Sequence, residues 1–372
     1  MFPFNGPYPI TALEAASFDD SIGSDEGIYD FIVVGGGTSG CVLANRLSED
    51  PTVKVLLLER GDARTGWSTR VPLMSTNFMG DASAAYRWPA ACTVGDARTL
   101  TLYTRGFPAE YDRWSEGGCR GWSYAELEPY FKKSEGFTNA KVLVTEHHGT
   151  QGLFEQDHMA VGIMYSVPTG QSLHILQASR FRAMVELFRY IAFGEGLFLA
   201  PVTQLSILVD SARVDEAGHI VPLVDVTTAR LPDLELMPIH FNYSDPPIPI
   251  EAGAFSLKVG LVRPRSRGIV ALASDDPLQR PACDLAFLSD AADYAVMHKG
   301  IKLAKRIGEK MRELGCTLMD MYMPDSEADA DLDAFVRKTV RTTYHYGCTC
   351  RMAPERDAGV VDDVLRVHGR QW

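Results

Sequence analysis

Residues Tyr29 to Glu59 limit what this chain can fold into more than any other stretch. Phe31-Ile32-Val33-Val34 is a short apolar run rich in β-branched side chains, Gly35-Gly36-Gly37-Thr38-Ser39-Gly40 is a turn, and Val42 to Leu47 favour a helix. A second apolar run, Val53 to Leu58, ends at Glu59. Strand, tight turn, helix and strand in this order predict a βαβ unit with parallel strands. Gly35, Gly37 and Gly40 have the spacing G-x-G-x-x-G in the required setting, and Glu59 follows about 20 residues on. Glycine lets the backbone turn sharply and approach a pyrophosphate, while the helix N-terminus offers N–H groups and a positive dipole end. A carboxylate at Glu59 can accept hydrogen bonds from a ribose 2′-OH and repels a 2′-phosphate. Gly35, Gly37, Thr38, Ser39, Gly40 and Glu59 are therefore the expected binding residues for an ADP-containing cofactor. NAD and FAD both use this motif, and a glycine-rich turn without a ligand is the remaining alternative.

Bulk properties narrow the field by exclusion. A chain of 372 residues, 46% hydrophobic and 23% charged, can bury a large core, and its length favours two domains over one. Its net charge of -12 argues against a nucleic-acid surface, which needs clustered Lys and Arg to replace counterions. The most apolar stretch, Leu197 to Val209, is interrupted by Pro201, Thr203, Gln204 and Ser206, so no membrane span is expected. Residues 1–28 have neither a basic start nor a sustained apolar segment; they read as an irregular leader, and a cytoplasmic location is favoured. The seven scattered cysteines fit reduced thiols. Cys348 and Cys350 are too close together for a usual zinc pair, so no metal site is expected.

Further along, Ser123 with Glu126 three residues later predicts a capped helix presenting Leu127, Tyr130 and Phe131 on one side. Beyond Ser166 the pattern is mixed, with a proline-rich spacer at Asp245-Pro246-Pro247-Ile248-Pro249. Strand-like runs follow at Ser256 to Val262 and Gly268 to Ala273, then a long helix over about Asp290 to Leu314. The acidic stretch Asp325 to Asp333 predicts a solvated loop leading into a helix at Ala334 to Thr339. Together these elements predict a second, α+β domain.

Several ordered blocks resemble the glucose–methanol–choline oxidoreductases: Tyr29 to Gly40 with Leu57-Leu58-Glu59; Arg105-Gly106, Tyr111-Asp112, Trp114 and Gly121 through Glu135; Pro264-Arg265-Ser266-Arg267-Gly268 and Asp276-Pro277; and His345 to Met352 with Gly359 to Asp362 and Leu365 to Gly369. The resemblance implies an α/β fold: a Rossmann-like FAD-binding domain over residues 29–157 and 340–372, and an α+β substrate-binding domain with an antiparallel sheet over 158–339. It also implies FAD as cofactor, a small-molecule alcohol as substrate, and His345 as the histidine that takes the hydroxyl proton while hydride leaves carbon. Imidazole suits that role because its ordinary pKa of about 6.5 lets it hold or release a proton near neutrality.

Three stretches depart from the family's pattern. Thr93 to Leu102 stands where the family has a glycine-rich run along the flavin. His148-Gly149-Thr150-Gln151-Gly152 is followed almost at once by Gln156-Asp157-His158, where the family has a long segment. The sequence ends at Trp372, before the family's final segment with its second catalytic His or Asn. These departures predict a shortened member with an incomplete flavin domain. They keep open a second reading, a non-redox binding protein or an isomerase/cyclase on a scaffold that has lost flavin binding.

Overall fold

The structure, a computed structural model, describes residues 28–59, 107–134, 158–199, 205–222, 231–244, 248–271, 282–343, 345, 347, 350–357 and 359–369. The N-terminal leader up to residue 27, Thr93 to Leu102, Arg105-Gly106, the His148–Gly152 block, the spacer prolines Pro246 and Pro247, Asp276-Pro277 and Cys348 lie outside these residues. Two compact units divide the chain, Met1–Asp62 and Ala63–Trp372.

The first unit is the βαβ element that the sequence predicts. Strand β1 (Phe31–Val34) and strand β2 (Val55–Leu58) pair in parallel, Phe31 opposite Val55 and Val34 opposite Leu58, with helix α1 (Thr38–Leu47) between them. Asp30 aligns the strand starts, its carboxylate accepting the Lys54 N–H at 2.8 Å. At the other end the Gly35 N–H donates to the Leu58 carbonyl at 2.7 Å. Parallel strands normally carry cover on both faces. Here Val33 is buried, whereas Ile32 is 61% and Val34 83% exposed, so this two-stranded sheet has an uncovered apolar face.

In the second unit the first elements among the described residues are two helices, α2 (Pro108–Glu116) and α3 (Tyr124–Ser134). Proline at the first position of α2 costs no hydrogen bond, and Glu110 accepts the Phe107 N–H at 3.4 Å. The predicted Ser123–Glu126 cap is present, Glu126 accepting the Ser123 N–H at 3.0 Å and its hydroxyl at 2.5 Å. Tyr111, Tyr124 and Phe131 pack as mutually tilted rings where the helices meet, with ring centroids 5.3 to 6.1 Å apart.

Next come strand β3 (Met159–Val167), helices α4 (Ile175–Ala178) and α5 (Arg180–Phe193), and strands β4 (Ile207–Val209), β5 (Leu234–Ile239) and β6 (Gly253–Leu261). Strands β7 (Ile269–Ala271) and β8 (Ala282–Asp284) form a separate short antiparallel pair. Helix α6 (Ala291–Glu313), strand β9 (Met319–Tyr322), helix α7 (Asp329–Thr339) and strand β10 (Arg341–Thr342) complete the unit.

The main sheet has the order β10-β3-β6-β5-β4, and β9 pairs beside β10 on the same edge of β3. All of its pairings are antiparallel, as expected for the second domain. Phe255, Leu257, Val259 and Leu261 alternate along β6 toward one face, where they share a core with Met297, Ile301 and Ala304 of α6 and Leu332, Phe335 and Val336 of α7. Gly300 lets α6 come close: a Cβ there would lie 2.5 Å from Val259 Cγ1.

One sequence expectation needs correction. The acidic stretch is not a loop up to Asp333, because α7 begins at Asp329 and takes Asp329 and Asp331 into its first turn. Carboxylates there complement the positive end of the helix dipole, and just before the helix the Ser326 hydroxyl accepts the Ala328 N–H at 3.0 Å and donates to the Asp331 carboxylate at 2.5 Å. The mixed pattern beyond Ser166 hides α5. Ser179 caps that helix, its hydroxyl accepting the Arg182 N–H at 3.2 Å, and Gly194 ends it with φ 64°. The apolar Phe181, Met184, Phe188 and Ile191 of α5 face outward, which blurs the usual polar-out signature.

Candidate active site

The sequence-predicted cofactor residues converge in the first unit. Gly35 has φ +100°, a conformation that favours glycine, and so turns the chain from β1 toward α1. Gly40 lies against that turn: a Cβ on it would sit 1.8 Å from the Gly35 carbonyl oxygen. Gly37 is the N-cap of α1 and has no side chain to occupy the N–H groups of the first turn, which includes Thr38, Ser39 and Gly40. Among the described residues, none beyond its chain neighbours lies within 4 Å of the point where a Cβ on Gly37 would stand. The Glu59 carboxylate closes the mouth of the turn by accepting the Gly36 N–H at 2.6 Å. These are the features that let a turn and helix N-terminus receive a pyrophosphate with a carboxylate near the ribose.

His345 lies in the second unit, just past β10. The pairing of β10 with β3 sets Thr342 opposite Met159, and the ladder runs one residue further, the Thr343 N–H donating to the His158 carbonyl at 2.5 Å. This brings His158, which precedes β3, against His345. Their Nδ1 atoms are 3.3 Å apart and their rings meet edge to face at a centroid distance of 5.3 Å. The buried Thr343 links them: its Oγ1 accepts the His158 N–H at 2.7 Å and lies 3.1 Å from His345 Nδ1. The sequence reading placed His158 within a block but gave it no role. Its only local signal is a position just before an apolar, strand-like run.

Two cations act on His158. Lys258 projects from β6 with its ammonium 4.8 Å from the centre of the Tyr243 ring. Arg263 follows β6, donates to the Pro232 carbonyl at 3.1 Å and pairs with Glu110 of α2. Burial, then the charges of Arg263 and Lys258, push His158 down to about 4. Burial alone pushes His345 down to about 3. Both imidazoles are therefore neutral at physiological pH and able to accept a proton.

That neutrality has a pH signature. Unfolded, both rings titrate near 6.5; between that value and their depressed folded values the unfolded chain binds protons that the folded chain excludes. Stability is thus full above the unfolded pKa and falls as pH drops toward the folded values. The urea midpoint of wild-type protein is expected to decline from about pH 7 to about pH 4, and His158→Asn to flatten that decline. Equal slopes for the two proteins would rule out a buried neutral His158.

Comparison with known proteins agrees with this architecture. Residues 29–178 match the N-terminal and residues 264–371 the C-terminal GMC oxidoreductase family profile. The chain belongs to the glucose–methanol–choline (GMC) oxidoreductase family. It is 38% identical over 146 residues to a glucose dehydrogenase [FAD, quinone] of Drosophila pseudoobscura pseudoobscura, covering 34% of this chain and 23% of that protein. Mitochondrial choline dehydrogenase of Mus musculus is 37% identical over 139 residues, again with 23% of its length matched. The chain thus spans about a quarter of the length of these two relatives. An uncharacterised GMC-type oxidoreductase of Rhodococcus erythropolis aligns over 92% of this chain and 91% of its own length at 24% identity. Among solved structures, a formate oxidase of Aspergillus oryzae RIB40 superposes with a TM-score of 0.78 at 17% identity, covering 92% of each chain.

Proposed function

We propose that this chain carries out FAD-dependent oxidation of a small-molecule alcohol, with His345 taking the hydroxyl proton. The observation that carries the reading is the half-buried, neutral imidazole of His345 within the C-terminal family match, set against a second histidine from the N-terminal match. The names of the relatives, which act on glucose or choline, support the substrate class.

The residues of the first unit fit the ADP half of the cofactor. Gly37 leaves room for a pyrophosphate at the α1 N-terminus, Gly35 and Gly40 allow the close turn, and Glu59, whose carboxylate accepts the Gly36 N–H, is the acidic residue expected beside the ribose. Bound FAD supplies a two-electron hydride acceptor. The protein's own contribution is to receive the proton: a neutral imidazole withdraws H⁺ from the substrate hydroxyl, raising the electron density on the oxygen that expels hydride from the adjoining carbon.

Purified protein is expected to be yellow and to oxidise at least one alcohol from a panel of polyols, amino alcohols and aryl alcohols. Colourless protein that neither takes up added FAD nor oxidises any of them would favour a non-redox binding protein or isomerase/cyclase.

A further inference from the structure

We propose that helix α5 is the surface by which two copies of this chain pair, the outer face of the helix in one copy lying antiparallel across the same face in the other. Nothing in this depends on the cofactor or on His345. Phe181, Met184, Phe188 and Ile191 recur at intervals of three, four and three residues, the spacing of a helix–helix seam, and each is 62% to 74% exposed. Phe193 is exposed as well, and its ring meets that of Phe188 edge to face at 5.8 Å, which extends the patch to the end of the helix.

The inner face of α5 is fixed to its own chain. Glu186, buried at mid-helix, accepts the Leu197 N–H at 3.0 Å and pairs with Arg182 at 2.8 Å and Arg189 at 3.3 Å. The turn after the helix closes tightly on this carboxylate, since a Cβ on Gly196 would lie 2.5 Å from Glu186 Oε2. Rolling the helix to hide its aromatic side would strip a buried carboxylate of these partners, which costs more than the apolar burial returns. The stripe therefore stays on the surface of a single chain, and contiguous apolar patches of this kind mark interaction surfaces.

Area and charge both fit a second copy. At about 150–200 Å² per large side chain, the five exposed residues offer on the order of 500–650 Å², and two copies together about 1,000–1,300 Å², the range in which specific interfaces begin. The charges of α5 run against its own dipole: Arg180 and Arg182 stand in the first turn, no basic residue stands in the last, and Glu195 follows it. Arg180 makes no ion pair among the described residues. The Glu195 side chain, 3.6 Å from Arg189 of its own chain, is well exposed and can take a second guanidinium. In an antiparallel pair centred at the level of Glu186, Met184 of one copy faces Phe188 of the other and Phe181 faces Ile191. Arg180 then comes within side-chain reach of Glu195 and of the negative end of the other helix, whereas a parallel pair would set Arg180 against Arg180. An anionic membrane could also receive aromatic and arginine side chains, but a chain of net charge -12 is repelled by it, and Glu186 already engages Arg182 and Arg189.

Sedimentation velocity of the full chain between about 1 and 100 μM tests the pairing. The wild type is expected to rise to twice the mass of one chain across this range. Phe188→Glu and Met184→Glu, changes at exposed positions that leave the core untouched, are each expected to stay at the mass of one chain and to melt like dilute wild type. Arg180→Glu is expected to weaken the pair about tenfold, since two symmetry-related surface contacts turn repulsive, and Arg180→Glu combined with Glu195→Arg to recover most of that loss. A wild type that keeps the mass of one chain throughout overturns the proposal, as does a dimer that survives both glutamate variants. A double charge exchange no tighter than Arg180→Glu alone overturns the antiparallel arrangement. A single chain that instead sediments with vesicles of phosphatidylcholine and phosphatidylserine assigns the stripe to a lipid surface and overturns the pairing.

Discussion

Replacing His345 with glutamine is expected to lower kcat for alcohol oxidation by about 10²- to 10⁴-fold, the usual contribution of a positioned acid or base. Glutamine keeps hydrogen-bonding capacity near Thr343 and His158 but has no basic nitrogen to receive the hydroxyl proton. KM and flavin content are expected to change little, because the loss falls on the chemical step. A purely structural histidine predicts the reverse, with a fall in melting temperature and activity lost only in proportion to the folded fraction. Steady-state rates normalised to bound flavin, set beside thermal melts, separate the two. Undiminished kcat in a well-folded, flavin-loaded variant would show that His345 is not the base.

Gly40→Val is expected to weaken ADP binding by at least about 100-fold, or about 3 kcal/mol. The Cβ at this position would stand 1.8 Å from the Gly35 carbonyl oxygen, 3.0 Å from its carbon and 3.5 Å from Val33 Cγ1. Backbone cannot rotate away as a side chain can, so α1 must lift from β1, taking with it the N–H groups expected to face the pyrophosphate. Gly37→Ala is the control. Its Cβ meets nothing within 4 Å, so the turn keeps its shape in the free protein, and any loss of affinity in that variant reports on space the ligand needs. Calorimetry with ADP measures both variants without depending on catalysis. Wild-type affinity in Gly40→Val would sever the turn from cofactor binding.

Much of the fold was legible along the chain. The run Phe31 to Val34, the glycine turn and Val53 to Leu58 appear as β1, α1 and β2, because strand, turn and helix preferences in so short a unit all act between neighbours in sequence. The long helix expected over Asp290 to Leu314 is α6, Ala291–Glu313, with the Asp290 carboxylate accepting the Ala292 N–H at 2.8 Å as its cap. Expectations failed where local signals competed. Five acidic residues between Asp325 and Asp333 resembled a solvated loop because like charges repel, yet at a helix N-terminus the dipole and the hydrogen bond from Ser326 to the Asp331 carboxylate reverse that preference. In α5, apolar residues on the exposed side removed the contrast by which an amphipathic helix is recognised, and only its cap and terminal glycine marked its ends.

The sequence by itself determined the βαβ unit, the cofactor class it suits, and His345 as the residue to examine, because a strained glycine turn and a motif of contiguous residues are local properties. The tertiary structure alone decided what His345 meets. His158 stands 187 positions away, and the two are joined by the antiparallel register that sets Thr342 opposite Met159. That register depends on which residues of β3, β6, α6 and α7 share one buried face, since a slip of one residue would turn every core side chain of β3 to the opposite side. No local preference carries that information. The low proton affinity of both imidazoles arises in the same way, from burial in the folded chain, to which the charges of Arg263 and Lys258 add at His158.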